Sequence, residues 1–469
     1  MLNYSATYTD QYQITMAEVY FKKGRHQNRA VFDYFFRKPP YKSGYTIFAG
    51  LENLLDILEN FRFTEQDIEF LHQQKLSEDF LEYLSNYQFR GDIYSMREGE
   101  IVFPTEPILT VEAEMLDAQL VETVLLNMLN FQSLIATKAA RMRQVAGKRG
   151  LIDFGLRRAQ SAGGYHAARA AIIGGFNATS NVVAGKDFQI AVSGTMAHSL
   201  IQSYDDELTA FRHFAEIRPH DCVLLVDTYN TLKSGVPNAI KVAKEMEAKG
   251  QKLKGIRLDS GDLAFLSRKA RQMLDEAGLN YVKIAASNQL DENLIKSLNE
   301  QGAQIDLFGV GTNLITGQPD SALDGVFKLA AYNDEPRVKI SESTTKITLP
   351  GKKQVMRLLD ETGQFAGTDA VCLKTHDQLG KIYHPFDKLK SMDVGNYQKE
   401  PLLQLVMKNG KRVQEPIKLE SIQSYAQKRL KQLPDEFKRF EYPHLYKVGL
   451  SHKLNELRNE LIHRHLNNL

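Results

Sequence analysis

Gly255-Ile256-Arg257-Leu258-Asp259-Ser260-Gly261-Asp262 is a short β-rich run that ends in a turn crowded with charge. Branched apolar residues at 256 and 258 suit a buried strand, and Asp-Ser-Gly-Asp is turn chemistry. The same pairing recurs on both sides of it. Residues 151–154 lead into Gly155-Leu-Arg157-Arg158, and residues 189–192 into Ser193-Gly-Thr195-Met-Ala-His198. Residues 223–226 end in Asp227-Thr228-Tyr229-Asn230, and residues 281–285 run on to Ser287-Asn288. Residues 305–308 end in Gly309-Val-Gly311-Thr312-Asn313. Helical spacings fill most of the gaps, at 238–249, 263–277 and 291–299. Strands that start roughly 20–40 residues apart with helices between them are the rhythm of βα units in a parallel sheet. Six units in series give a barrel or an open doubly wound sheet. In a barrel, all six polar turns share the rim where barrel enzymes place their chemistry.

Outward from this core, composition sets the bounds. The chain has 469 residues, and 59 Lys+Arg against 57 Asp+Glu leave a net charge of +2. That balance excludes a general basic field for nucleic acid. Cys222 and Cys372 are the only cysteines, too few for a disulfide framework or a Cys-based zinc site. No apolar run reaches the roughly 18 residues of a membrane span, and Asp10 and Glu18 break any leader-like pattern. A cytoplasmic protein is expected. The N-terminal third mixes helical patterns at 47–58, 65–74 and 116–145 with a β-like stretch at 101–109. From 388 to 469, 16 Lys+Arg stand against 9 Asp+Glu, and helices are expected at 421–440 and 452–466. That surplus reads as solvated helix faces around an apolar stripe.

Taken singly, the rim residues have ordinary explanations. Asp259 or Asp262 after a strand is helix-cap chemistry. Gly309 and Gly311 are turn glycines, and their run lacks the third glycine of a dinucleotide loop. Gly185-Lys186 is no phosphate loop, because Ser180 and Asp187 replace the required glycine and hydroxyl residue. His198 alone suits a helix start, and Arg157 and Arg158 a surface. Together they are harder to dismiss, since a structural rim needs no convergence of Arg, His and two Asp. Arginines and strand-end helix starts hold anions. Paired carboxylates suit a divalent cation or ribose hydroxyls. A histidine in a Gly-Thr turn can take a phosphoryl group or a proton. Residue chemistry thus reaches a phosphorylated, ribosyl-type substrate with magnesium, and stops there.

The run of motifs resembles the nicotinate phosphoribosyltransferase family. It extends from Tyr8-Thr-Asp10-Gln-Tyr12-Gln and Val31-Phe-Asp33-Tyr-Phe-Phe-Arg37 to Asp153-Phe-Gly-Leu-Arg157-Arg158-Ala-Gln160. Gly174-Gly-Phe-Asn-Ala-Thr179-Ser180-Asn181, Ser193-Gly-Thr-Met-Ala-His198-Ser199 and Leu225-Val-Asp227-Thr-Tyr229-Asn230-Thr231 continue it. It ends with 255–262 and Phe308-Gly309-Val-Gly311-Thr312. The resemblance implies an irregular, partly open α/β barrel at 141–340. It also implies an N-terminal α+β domain at 1–140 and a basic, partly helical C-terminal region at 341–469 packed on it.

The implied reaction joins nicotinate to phosphoribosyl pyrophosphate, coupled to ATP hydrolysis in NAD salvage, in a homodimer with shared sites, Mg2+ as cofactor, and no nucleic-acid or membrane partner. By the resemblance, His198 is the phosphohistidine, and Asp227 and Asp259 are catalytic and near magnesium. Arg257 and Asp259 contact the phosphoribosyl group, with Thr195 and Ser180 as further substrate contacts. Gly309, Gly311 and Thr312 hold the 5′-phosphate, with Ser287 and Asn288 beside them. Phe154 and Tyr12 of the partner subunit sandwich the pyridine ring, and Arg157 meets its carboxylate.

One departure bears on specificity. Nicotinamide-using relatives carry an acid near Ser180–Asn181, and no carboxylate stands between Asn177 and Lys186 here. That favours the acid over the amide. Asn177 itself stands where many relatives have an acid, which leaves its role open. The competing readings are an amide-specific transferase, a Schiff-base aldolase using Lys283, and a sugar-phosphate-binding protein without turnover. A type I phosphoribosyltransferase is disfavoured, because Val226-Asp227-Thr228 carries one acid where that loop has two.

Overall fold

Six parallel strands carry the rim residues. The computed structural model describes residues 4–341, 347–375, 379–387 and 389–467, in two compact units. One unit spans Lys138–Ser321; the other joins Met1–Thr137 to Ala322–Leu469.

In the 138–321 unit the strands are β1 (Gly150–Asp153), β2 (Ala178–Thr179), β3 (Val223–Leu225), β4 (Gly255–Leu258), β5 (Lys283–Ser287) and β6 (Leu307–Val310). Their order is β2-β1-β6-β5-β4-β3, so the last strand returns to pair with the first. Beyond β2, Val192 adds one parallel bridge to Thr179. Among the described residues, the ring is interrupted only between Val192 and β3. This is the partly open barrel that was expected. The strand expected at 189–192 shrinks to that one bridge, because Gln189 closes the helix Val182–Phe188 with φ +56. The strand expected at 281–285 starts later, because Val282 is held in a turn by its N–H to the Leu279 carbonyl.

Helices Val236–Ala248, Leu263–Glu276 and Glu292–Glu300 fall where the periodicity places them. Asp262 caps the second by accepting from Phe265 N–H at 2.9 Å, and Asp291 caps the third from Leu294 N–H at 2.8 Å. The cap reading therefore holds for Asp262, while Asp259 is left to the rim. Gly235 is forced by a close approach, since a Cβ there would lie 1.8 Å from the Val226 carbonyl oxygen.

His166, on the helix Ala162–Ile173, is buried, and burial with Arg169 nearby lowers its pKa to about 4. A folded-state value below the unfolded one means the unfolded chain gains the proton first. Stability is therefore lost as pH falls from about 6.5 toward 4, by about 3 kcal/mol in all. His166→Gln is expected to flatten this slope, read as urea midpoints at pH 7.5 and 5; an unchanged slope would exclude His166 as its source.

The other unit holds two sheets. The first is antiparallel and runs, edge to edge, Glu335–Pro336, Gly325–Tyr332, Arg29–Phe36, Leu109–Glu114, Asp92–Ser95, Gln404–Lys408 and Lys411–Arg412. Its central strand Arg29–Phe36 is buried along almost its whole length. The second contains Phe365–Leu373 between Lys353–Leu359 and Lys447–Ser451. The limits differ from the expected 1–140, 141–340 and 341–469. Gly325–Tyr332 was expected within the barrel segment, yet it pairs antiparallel with Arg29–Phe36 and buries Phe327, Ala330 and Ala331 there.

Arg357 is fully buried and bonds Asp369 at 2.8 Å and Glu100 at 2.7 Å, which ties the C-terminal strands to the N-terminal segment within this unit. Other local differences lie at helix ends. The helix expected at 47–58 begins at Leu51, after Gly50 at φ +102. That at 116–145 divides into Met115–Leu120 and Glu122–Ala146, and that at 421–440 ends at Gln432, before Pro434. Cys222 and Cys372 are both buried thiols, and neither is in a disulfide.

Candidate active site

Arg257 organises the rim. It lies inside β4, so its backbone is fixed on both sides by the sheet and its side chain points at neighbouring strand ends. Its Nε donates to Ser287 Oγ at 2.9 Å, and Nη1 to Thr195 Oγ1 at 3.1 Å and the Met196 carbonyl at 3.3 Å. Its Nη2 donates to Asp259 Oδ1 at 2.9 Å, and the guanidinium lies 5.4 Å from the centre of the Phe154 ring. One cation thus ties together β1, β4, β5 and the loop after Val192, across the interrupted side of the barrel.

Asp259 accepts from Ser287 Oγ as well, so Arg257, Ser287 and Asp259 form a closed triangle. Burial raises the Asp259 carboxyl, but the Ser287 hydroxyl, Arg257 and His198 together outweigh it, and its pKa lies below the ordinary value. It is a carboxylate at neutral pH. Asp227 is buried; its Oδ2 accepts from Asp259 N–H at 2.7 Å and from Ser260 Oγ at 2.6 Å. Its Oδ1 is buried with no hydrogen-bond partner. A buried orphan acceptor on an acid is costly unless something fills it.

Among the described residues no group of three or more His, Cys, Asp or Glu forms a self-sufficient metal cage. Two carboxylates supplemented by water and substrate oxygens are nonetheless the usual donor set for magnesium. The Asp227–Asp259 pair and the orphan Oδ1 fit that set.

His198 opens the helix His198–Gln202. Its Nδ1 is 3.0 Å from Thr228 Oγ1, and its Nε2 is 3.8 Å from Asp259 Oδ2 and partly exposed. With Nδ1 engaged, Nε2 is the nitrogen presented to a ligand.

Phe154 follows β1 and rests on Gly309, where a Cβ would come within 2.3 Å of the ring. The glycine is therefore required by the aromatic, whatever else its backbone does. Gly311 and Thr312 follow β6, and Thr312 begins the short helix Thr312–Ile315. Asn288 follows β5 with φ +93, in the left-handed region.

Some expected residues are not drawn into this cluster. Arg157 sits on the exposed turn Leu156–Arg158, and its Nη1 donates to the Phe154 carbonyl at 3.2 Å. Ser180 is joined to the β1 end through its N–H, which donates to the Asp153 carbonyl at 2.8 Å. Tyr12 belongs to the other unit, on the helix Gln11–Lys22, and is 49% exposed. Asn177 is structural and serves the opposite end of β1: its Oδ1 accepts from Leu151 N–H at 2.9 Å and from Arg143 Nη2 at 2.7 Å. Lys283 stands at the start of β5, four residues before the rim, and pairs in the open with Asp306 at 3.0 Å. That removes the aldolase reading.

Thr228, Ser260 and Asp153 were not singled out from sequence. Thr228 and Ser260 each immediately follow a rim aspartate, and that adjacency is the signal. Asp153 is fully buried; it accepts from Gly155 N–H and from Thr179 Oγ1, both at 2.7 Å, and so locks the turn that carries Phe154 to β2.

Fold and site together define an α/β-barrel enzyme for an anionic, phosphorylated substrate. The family model described as "Nicotinate phosphoribosyltransferase (NAPRTase) family" matches residues 150–382, and models of the N-terminal and C-terminal domains match 7–130 and 352–458. The chain belongs to the nicotinate phosphoribosyltransferase family. It is 47% identical over 456 residues to the Bacillus subtilis nicotinate phosphoribosyltransferase, covering 95% of this chain and 92% of the relative. It is 40% identical over 453 residues to the enzyme pncB2 of Mycobacterium tuberculosis, covering 96% and 92%. The crystal structure of human nicotinic acid phosphoribosyltransferase is similar with a TM-score of 0.86 at 30% identity, covering 97% of this chain and 99% of that one. No described helix is long and apolar enough to cross a membrane.

Proposed function

We propose that this chain transfers 5-phosphoribose from phosphoribosyl pyrophosphate to the ring nitrogen of nicotinate, forming nicotinate mononucleotide and pyrophosphate in NAD salvage. The observation that carries the reading is the Arg257 cluster, which fixes cation, carboxylates and histidine at one mouth. In the reaction the pyridine nitrogen attacks C1′ of the ribose and the bond from C1′ to pyrophosphate oxygen breaks. Positive charge develops on the sugar, so the work of the protein is to hold the leaving group and align the nucleophile.

Arg257, with Thr195 and Ser287 beside it, faces the phosphoribosyl group. The backbone of Gly309–Thr312 faces the 5′-phosphate, with Asn288 and Ser180 completing the rim. Asp227 and Asp259 would hold magnesium, which neutralises pyrophosphate charge when bound. Phe154 supplies one face for the pyridine ring. Tyr12 of the partner subunit supplies the other in a homodimer, a role that its exposure permits.

ATP use is assigned to His198. Nε2 takes the γ-phosphoryl group as the bond to ADP breaks, and water later releases phosphate from the phosphohistidine. Thr228 keeps the ring oriented for both steps.

Arg157 is assigned to the nicotinate carboxylate. Arg157→Ala is expected to raise the KM for nicotinate about tenfold or more and to leave that for phosphoribosyl pyrophosphate within about twofold. Equal changes in both constants would separate Arg157 from the carboxylate. The reading as a whole is tested by parallel steady-state assays with nicotinate and nicotinamide. Nicotinate mononucleotide formation with a clear preference for the acid is expected; a preference for the amide would overturn it.

A further inference from the structure

Two turns of the rim leave the neighbouring parallel strands β1 and β2. The one after β1 carries Phe154 and Arg157, and the one after β2 carries Ser180 and Asn181. Both are tied to a single side chain. Asp153 Oδ1 accepts from Gly155 N–H at 2.7 Å, and Oδ2 accepts from Thr179 Oγ1 at 2.7 Å. Thr179 Oγ1 accepts in turn from Asn181 N–H at 3.0 Å, and the Asp153 carbonyl accepts from Ser180 N–H at 2.8 Å. Asp153, Thr179 and Asn181 are all fully buried.

Burial raises the Asp153 pKa, and its two hydrogen bonds act against that. The strands do not need this acid in order to meet, since Ile152 and Asp153 already pair with Ala178 and Thr179 in the backbone ladder. What the relay of side-chain bonds adds is a fixed course for the chain just past the strand ends, where the ladder stops. There Phe154 presents its ring, held from the other side by its N–H on the Val310 carbonyl at 2.8 Å. Arg157 leaves the same turn, with Nη1 on the Phe154 carbonyl at 3.2 Å. A misplacement of about 1 Å in groups that orient a substrate can cost about 10² in rate, so the bonds that set this turn bear directly on the ring and carboxylate it receives.

We propose that Asp153, acting through Gly155 and Thr179, is the positioning residue of the nicotinate subsite: it sets the plane of Phe154 and the origin of Arg157 without touching substrate itself. The proposal rests on the assignment of Phe154 and Arg157 to nicotinate made above.

Steady-state assays of four variants of the full chain test it, with nicotinate and phosphoribosyl pyrophosphate varied separately. Thr179→Val removes the hydroxyl at nearly constant shape, and Asp153→Ala removes both acceptors. Each is expected to raise the KM for nicotinate about tenfold and to leave that for phosphoribosyl pyrophosphate within about twofold. Thr179→Ser keeps the hydroxyl, and Asp153→Asn keeps an acceptor for Gly155 N–H and a donor for Thr179 Oγ1. Both are therefore expected to stay within about threefold of the unsubstituted chain in every constant. A merely structural role would lower the active fraction, and with it kcat, but would not move one KM and spare the other. If Asp153→Ala fails to fold, Thr179→Val against Thr179→Ser decides. Equal rises in both constants, a fall in kcat alone, or an asparagine variant as impaired as the alanine one would overturn the proposal and leave the subsite assignment standing. Failure of the unsubstituted chain to turn over nicotinate would overturn both.

Discussion

His198→Ala is expected to abolish stimulation by ATP and leave a slow, ATP-independent phosphoribosyl transfer. The two ring nitrogens have separate tasks, Nδ1 against Thr228 and Nε2 toward the open rim beside Asp259. Alanine removes the phosphoryl acceptor and nothing that holds the barrel, because the fold-bearing bonds of the rim run through Arg257 and Asp227. The histidine acts as the covalent acceptor of the phosphoryl group, so the loss is expected in the ATP-dependent turnover alone. Incubation with γ-labelled ATP and an acid-labile, base-stable label on the protein provides the direct readout. Label incorporated equally by the alanine variant, or ATP stimulation that survives in it, would remove His198 from that role.

Arg257→Lys is expected to be nearly as damaging, although it keeps the charge. The guanidinium uses three nitrogens to reach four groups, and a lysine ammonium on the same strand position cannot serve Ser287, Thr195, the Met196 carbonyl and Asp259 together. Losing one preorganised donor at a charged transition state costs about 10²–10³, and here several go at once. A fall of about 10³ in kcat/KM for phosphoribosyl pyrophosphate is expected. Folding should persist, because the strand itself is anchored by backbone pairing on both sides. A lysine variant with near-normal kcat/KM would mean that the fork geometry does not matter and that only net charge does.

Why were the rim and its residues legible before the fold was known? Strand ends announce themselves, because a β-rich run must stop at residues that tolerate a turn, and in a parallel barrel all such stops lie on one side. That logic located Asp227, Asp259, Ser287, Gly309 and His198 with no knowledge of their partners. It did not locate Thr228, Ser260 or Asp153, because a hydroxyl or a buried acid acquires its meaning only from what it touches in space. Nor did it show that Gly309 is small for the sake of Phe154, a contact between β1 and β6 that are some 155 residues apart (154 against 309).

The unit limits were hidden for a related reason. Gly325–Tyr332 is a short apolar run like those of the barrel, and its choice of the N-terminal sheet is made by Arg29–Phe36, far away in the chain. Single residues that reset the backbone also blurred the element ends: Gly50 at φ +102, Gln189 at φ +56, and Pro434 after the helix Leu419–Gln432.

The most direct test is a crystal structure with nicotinate mononucleotide bound. The pyridine ring is expected flat on Phe154 with its carboxylate toward Arg157, and the ribose 5′-phosphate against Gly309–Thr312, with His198, Asp227 and Arg257 around the ribose. A nucleotide found away from the C-terminal ends of β1–β6, or with its ring distant from Phe154, would contradict the assignment of this rim as the place of phosphoribosyl transfer.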